Sequence, residues 1–461
     1  GSATAEVNKG TPNDNNNYKE SLSTRKINSQ MQTRAKKCRR KKPYDFSNSR
    51  QRRVALQVCY FGWDYYGLQR QPDVGATIES HLFEALEKTC LVENRDTCQY
   101  NRCGRTDKGV SAFAQTVSIN VRTKLTNPRG LITAESVVRE GPPPEVEQPP
   151  LPETEDATPA ATATIIASDT AAVYDDDADE LCFVRMLNGV LPRDIRVTAW
   201  APVSDDFNAR FDCSSRTYKY YFISTGLNVP AMDEAASHLV GTHDFRNFCK
   251  IDTTKHVANH VRTIHSFTIG RTTQLENPSS ELYTDADVLE FTIVGTSFLW
   301  HQVRCMVGVL FLVGQGRESS QTIDTLLDIT KCKGRPQYNM APEGPLVLYD
   351  SQYKDPQWRH NKDSHKLLMR SLTEQYTTHA MRATMARTFL NRLRTATLHT
   401  DKGGDVVPWT QVEEEMLSAP VPHHYKPLLS RNISTTVEAA FERKAKKQKL
   451  ESDSASNSGH K

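Results

Sequence analysis

Gly104-Arg105-Thr106-Asp107-Lys108-Gly109 holds a single carboxylate between two cations, framed by glycines. The neighbouring charges favour an ionised Asp107. A charged carboxylate on such a loop suits a nucleophile or a base, and the same residues fit a surface turn with an ordinary ion pair. The segment lacks the GxxxxGK[ST] spacing of a phosphate-cradling loop. A second candidate is Arg216-Thr217-Tyr218-Lys219-Tyr220. As a strand it carries Arg216, Tyr218 and Tyr220 on one face. Phenols beside cations suit stacking on a base and contact with phosphate, and they equally suit half-buried tyrosines beside solvated lysine. The third candidate is Arg304, near the start of an otherwise apolar stretch. Buried, its guanidinium needs an anionic partner; otherwise it is a surface residue on a helix.

Other chemistry finds less support. Gly295-Thr296-Ser297-Phe298 does not form a GxSxG elbow, and His301 reads as a packing or capping residue. The ten cysteines form no CxxC pair, and His243-Asp244 and His423-His424 lack further ligands at metal spacing. Reduced thiols and no metal site are expected.

The elements that must hold these residues follow from periodicity. Val54–Phe61 reads as a strand. Thr77 caps a helix with Ile78, Leu82, Phe83 and Leu86 on one face. Val117, Ile119 and Val121 alternate as in a half-buried strand, as do Leu289, Phe291 and Ile293. Trp300–Gly314 reads as a helix, with Val303, Val307, Leu310 and Phe311 toward a core. Further helix is expected around 364–396 and 410–418. Strands and helices mix without Rossmann glycines, which predicts an α+β fold.

The chain has 461 residues, with 58 basic against 55 acidic, and 37% of it is apolar. The near-neutral total hides unlike parts. Residues 1–53 carry a net +10, densest over Arg34–Lys42, and read as a disordered basic tail. Residues 126–180 carry a net −11 and several prolines, and read as a disordered acidic insertion. That leaves 54–125 as the first part of a folded core, 181–353 as the remainder, and 354–461 as a partly helical extension with a basic end. No run of 18 apolar residues predicts a membrane span, and the polar first 30 residues show no secretory signal.

The run Cys103–Ala112 resembles the active-site motif of TruA-type tRNA pseudouridine synthases. Phe207–Asp212, Arg216–Tyr220, Gly241–Phe245, Phe298–Arg304 and Ala341–Leu346 resemble further family blocks, in the same order. Arg102-Cys103, Val110–Phe113 and Trp300–Met306 look most like the eukaryotic branch acting on uridines 38 and 39 of the anticodon stem-loop. The resemblance implies two similar subdomains with antiparallel sheets, flanked by helices around a central basic cleft. It implies an isomerase that flips a uridine out of its stem, with no cofactor. Asp107 would attack the nucleotide, Arg304 would pair with Asp107, and Tyr218 would stack on the uracil. Arg105, Lys108, Arg210 and Leu346 would contact the substrate. It further implies tRNA as partner and a homodimer, and the basic tail fits a nuclear address or an RNA arm, hence nucleus and cytoplasm. The same chemistry at other uridines, or a non-catalytic tRNA-binding module, are the alternative readings.

Overall fold

The computed structural model describes residues 44–71, 75–133, 177–251, 259–272 and 288–394, then 398–399, 406–407 and 425–446 apart from 438, 441 and 445. Most of the basic tail, the middle of the acidic insertion and the helix expected over 410–418 lie outside them. Residues 1–47 form a unit of their own, in which the Tyr44 and Phe46 rings meet edge to face. The rest concerns the second unit.

In it Leu398–His399 pairs with Val406–Val407 apart from the main sheet, whose strands are β1 (Gln51–Tyr60), β2 (Asn101–Arg102), β3 (Ser111–Arg122), β4 (Ile195–Pro202), β5 (Cys213–Ile223), β6 (Gly241–Asp244), β7 (Val261–Arg271), β8 (Val288–Gly295) and β9 (Leu346–Tyr353). They form one sheet in the order β4-β1-β3-β9-β5-β8-β7-β6, with β2 also pairing β3. Every pairing is antiparallel except β3 with β9, which run parallel through Ser111↔Val347 and Ala112↔Leu348. The helices are α1 (Ile78–Lys88), α2 (Phe183–Asn188), α3 (Val229–Ser237), α4 (Gln302–Gly314), α5 (Thr322–Leu327) and α6 (Lys362–Arg394). The fold is α+β. The two antiparallel halves are joined into one continuous sheet because β9, last in sequence, sits between β3 and β5.

Each half has its own core. In the first, Val54, Leu56, Val58 and Tyr60 of β1 and Val117, Ile119 and Val121 of β3 meet Ile78, Leu82, Phe83 and Leu86 of α1. Thr77 caps α1 as expected, its hydroxyl accepting from the Ser80 amide. In the second, Phe222, Phe291, Phe245 and Phe248 pack with Val303, Val307 and Leu310 of α4. Tyr218 packs against both cores, so it marks the seam.

Several sequence expectations need correction. The strand β3 is buried on both faces rather than one. Its polar residues Ser118 and Asn120 face not solvent but the guanidinium of Arg53, which donates to both side chains. A hydrogen-bonded polar layer gives the same alternation as water does. Order begins before Val54: Arg52 and Arg53, counted in the basic tail, are buried strand residues. The acidic insertion shrinks from both ends. Arg52 Nη1 donates to the Glu180 carboxylate at 3.0 Å, with both side chains buried, and Gly130 accepts from the Arg53 amide. The C-terminal extension also returns to the core. Leu428 is fully buried in the second half, held by its amide and by the Tyr425 hydroxyl, both donating to Glu318. Finally, α4 starts at Gln302, not Trp300, because His301 adopts a left-handed φ of 63° that no α-helix continues.

Candidate active site

The Asp107 loop is pinned from beneath by the turn after β1. The Thr106 carbonyl accepts from the Leu68 amide, the Gly109 amide donates to the Tyr65 carbonyl, and Val110 closes a turn onto Asp107. The Thr106 hydroxyl sits 2.7 Å from the buried Tyr60 hydroxyl. Two glycines permit this closeness. Gly67 has φ +91°, and a Cβ there would lie 2.9 Å from the Thr106 carbonyl oxygen. Gly109 has φ +79°, and its Cβ would meet Glu343 Cγ at 2.7 Å. Gly104, the glycine at the other end of the loop, has open space and no positive φ.

The structure brings three of the predicted residues to the seam. Asp107 lies there with its side chain partly exposed. Tyr218 reaches it from β5, its ring edge to face with Phe298 at 5.0 Å. Burial pushes the Tyr218 phenol up, and the charges of Cys103 and Asp107 add to that against Arg216, so the hydroxyl stays protonated. Leu346 is buried in the second core at the start of β9, its amide donating to the Glu343 carbonyl.

Arg304 differs from its predicted role. Its Nε donates to the Ala341 carbonyl at 2.8 Å and its Nη2 to Glu343 at 2.7 Å. The guanidinium does have an anionic partner, but that partner is Glu343 and not Asp107. The group beside Asp107 stands three residues earlier: His301 Nε2 lies 3.2 Å from Asp107 Oδ2. The turn into α4 and its first turn thus offer a nitrogen group to each carboxylate, His301 to Asp107 and Arg304 to Glu343. His301 is therefore more than a packing residue.

The remaining predicted contacts lie on the surface. Lys108 Nζ sits 4.3 Å over the Tyr66 ring. Arg210 stacks on Phe211, and its carbonyl accepts from Arg216. Arg105 is exposed beside the loop. Sequence reasoning missed His301, Glu343 and Trp63, whose indole donates to the Gly344 carbonyl at 3.1 Å. The signal for Trp63 was present in the aromatic residues set between Gly62 and Gly67. That for Glu343 was a lone carboxylate in the Ala341–Leu346 block. Behind the loop, Cys103 Sγ lies 3.6 Å from Cys213 Sγ, both as free thiols. Among the described residues no cluster of His, Cys, Asp or Glu could hold a metal ion.

Residues 235–354 match the family model of tRNA pseudouridine synthases. That stretch contains Arg304 and Leu346. The chain is 38% identical over 422 residues to the Bos taurus tRNA pseudouridine(38/39) synthase, covering 89% of this chain and 80% of that protein. It is 36% identical over 380 residues to its Saccharomyces cerevisiae namesake, covering 81% and 74%. The chain belongs to the tRNA pseudouridine synthase family. An archaeal relative, the tRNA pseudouridine synthase A of Methanothrix thermoacetophila, is 28% identical and is covered over 98% of its length. The tRNA pseudouridine synthase fold thus accounts for the doubled sheet, and the family makes this chain an isomerase. Among the described residues no helix is long and apolar enough to cross a membrane.

Proposed function

We propose that this chain isomerises uridine to pseudouridine at positions 38 and 39 of the tRNA anticodon stem-loop, with Asp107 as nucleophile. The observation that carries this reading is the placement of Asp107. It stands on a pinned loop at the seam, between Tyr218 on one side and the cation-bearing start of α4 on the other. The similarity to synthases named for positions 38 and 39, over most of both chains, supports the choice of site.

The target uridine is stacked and must be flipped out, at a cost of a few kcal/mol. The exposed cations Arg105, Lys108 and Arg210 offer phosphate contacts that hold the flipped strand. The Asp107 carboxylate then bonds to the sugar carbon C1′ as the N1–C1′ bond breaks. The detached uracil turns under the Tyr218 ring, with Leu346 on its apolar side. Its C5 bonds to C1′ and the carboxylate leaves. The C5 hydrogen departs as a proton, and N1 gains one. Tyr218, which keeps its proton, is placed to hydrogen-bond the base. Atoms and electrons balance within the nucleotide, so no outside oxidant, reductant or cofactor enters. The reading further includes a homodimer and residence in both nucleus and cytoplasm, with the basic run 34–42 as the nuclear address.

Site-resolved pseudouridine mapping on unmodified transcripts tests it. The wild-type chain should modify positions 38 and 39, and Asp107→Ala should lose roughly 10⁴-fold or more of the rate while still binding tRNA. Modification at other uridines would keep the chemistry and remove the site assignment. Binding without turnover by the wild type would leave a tRNA-binding module. Retained turnover in Asp107→Ala would remove Asp107 as nucleophile.

A further inference from the structure

The Arg304 guanidinium is already committed to Glu343 and the Ala341 carbonyl. Asp107 therefore needs another neighbour to fix its rotamer and its charge, and among the described residues His301 lies within ion-pair distance of it. Three features of His301 are costly for a mere linker residue. Its φ of 63° lies in the left-handed region that only a few per cent of non-glycine residues occupy, His more often than most. Its side chain is only 9% exposed, so the ring is held in the site rather than in solvent. Its Nδ1 is buried with no hydrogen-bond partner, although a buried polar atom ordinarily finds one. The ring also stacks on Trp300 at 4.5 Å and 29°, which fixes its plane. At the first position before α4 the side chain makes no capping hydrogen bond. Helix capping thus does not explain the strain, and strain of this kind collects where function demands a geometry.

We propose that His301 is the positioning residue for Asp107: its Nε2–H holds Oδ2, leaving Oδ1 directed at the nucleotide. The left-handed backbone is what turns the ring back from α4 toward the loop. This rests on Asp107 being the nucleophile.

The test is single-turnover pseudouridine formation on an unmodified tRNA transcript, with tRNA affinity and thermal midpoint measured in parallel. His301→Gly removes the ring and also relieves the positive φ. It should keep the thermal midpoint level or higher, keep tRNA affinity within about twofold, and slow the chemical step on the order of 10²-fold. Added imidazole should restore part of that loss by occupying the vacated space. His301→Asn, which tolerates the same backbone and keeps an N–H donor, should fall between wild type and His301→Gly. A wild-type rate in His301→Gly overturns the proposal. So does a loss that tracks tRNA affinity, or one that neither imidazole nor Asn recovers, because the residue would then only shape the start of α4. Absence of turnover in the wild type would instead strike the reading of Asp107, so the two failures are separable.

Discussion

The two halves of the sheet lean on different interactions, with one inner ion pair, Lys219 with Glu290, also in the second. The first half, which presents Asp107, buries charge. Arg52 pairs with Glu180, Arg53 feeds four acceptors, and Glu79 in the first turn of α1 pairs with both Arg95 and Arg102. The second half, which presents Arg304 and His301, is held by aromatic packing. Phe291 stacks with Phe222 at 4.6 Å and meets Phe267 edge on at 5.6 Å. Directional bonds fix the position of a loop to fractions of an ångström, which suits the anion. Ring packing tolerates small shifts, which suits a helix whose polar end alone must meet the site. The difference places the two halves under different threats: loss of a partner in one, loss of volume in the other.

The largest effect expected of this contrast lies at Arg52. Arg52→Met strands Glu180 in the interior and should cost about 3–5 kcal/mol in urea unfolding. In the second half Phe291→Leu keeps an apolar filler but leaves a small void, and should cost less, about 1–2 kcal/mol. Equal losses would erase the distinction between the halves.

A middling effect is shared by both. Burial pushes the Cys59 thiol of the first half and the Cys249 thiol of the second up to about 12. Unfolded, each ionises near the ordinary thiol value of 9.0. The unfolded chain therefore binds fewer protons between pH 9 and 12, and stability falls as pH rises through that window. The slope should be at most about 1.4 kcal/mol per pH unit for each thiol. Denaturant titrations from pH 8 to 11 should show Cys59→Ala and Cys249→Ala each flattening the decline. A slope unmoved by either would assign alkaline weakness to other groups.

The smallest effect sharpens the picture of the first half. Thr77→Ala removes the cap of α1 and should cost about 1 kcal/mol, with turnover unchanged. A change in turnover would mean that α1 transmits to the Asp107 loop, whose Thr106 carbonyl is bonded to Leu68 nearby.

Much of the site was legible because it is local. The loop 104–109, the β5 strand and the apolar face of α1 each announce themselves within a few residues of sequence. What stayed hidden depends on partners far along the chain. Arg52 reads as one more cation in a basic stretch until Glu180, 128 residues away, is seen beside it. Glu180 in turn reads as part of an acidic spacer. Ser118 and Asn120 suggest a wet face, since alternation is blind to whether water or Arg53 satisfies them. His301 was misread because positive φ leaves no trace in composition. The pairing of Arg304 with Glu343 was equally invisible, since 39 residues separate them.

The seam strand β9 has a consequence for how the molecule comes into being. It contributes the only parallel register among the described strands, two residues long against β3, and a longer antiparallel one against β5. Every other strand pairing of this sheet joins strands made before β9. A chain emerging from the ribosome thus carries two open strand edges, β3 and β5, until Leu346–Tyr353 has been synthesised. Such edges are sites of mispairing with other chains. Asp107 and the residues around it then come together at the stroke that closes both edges.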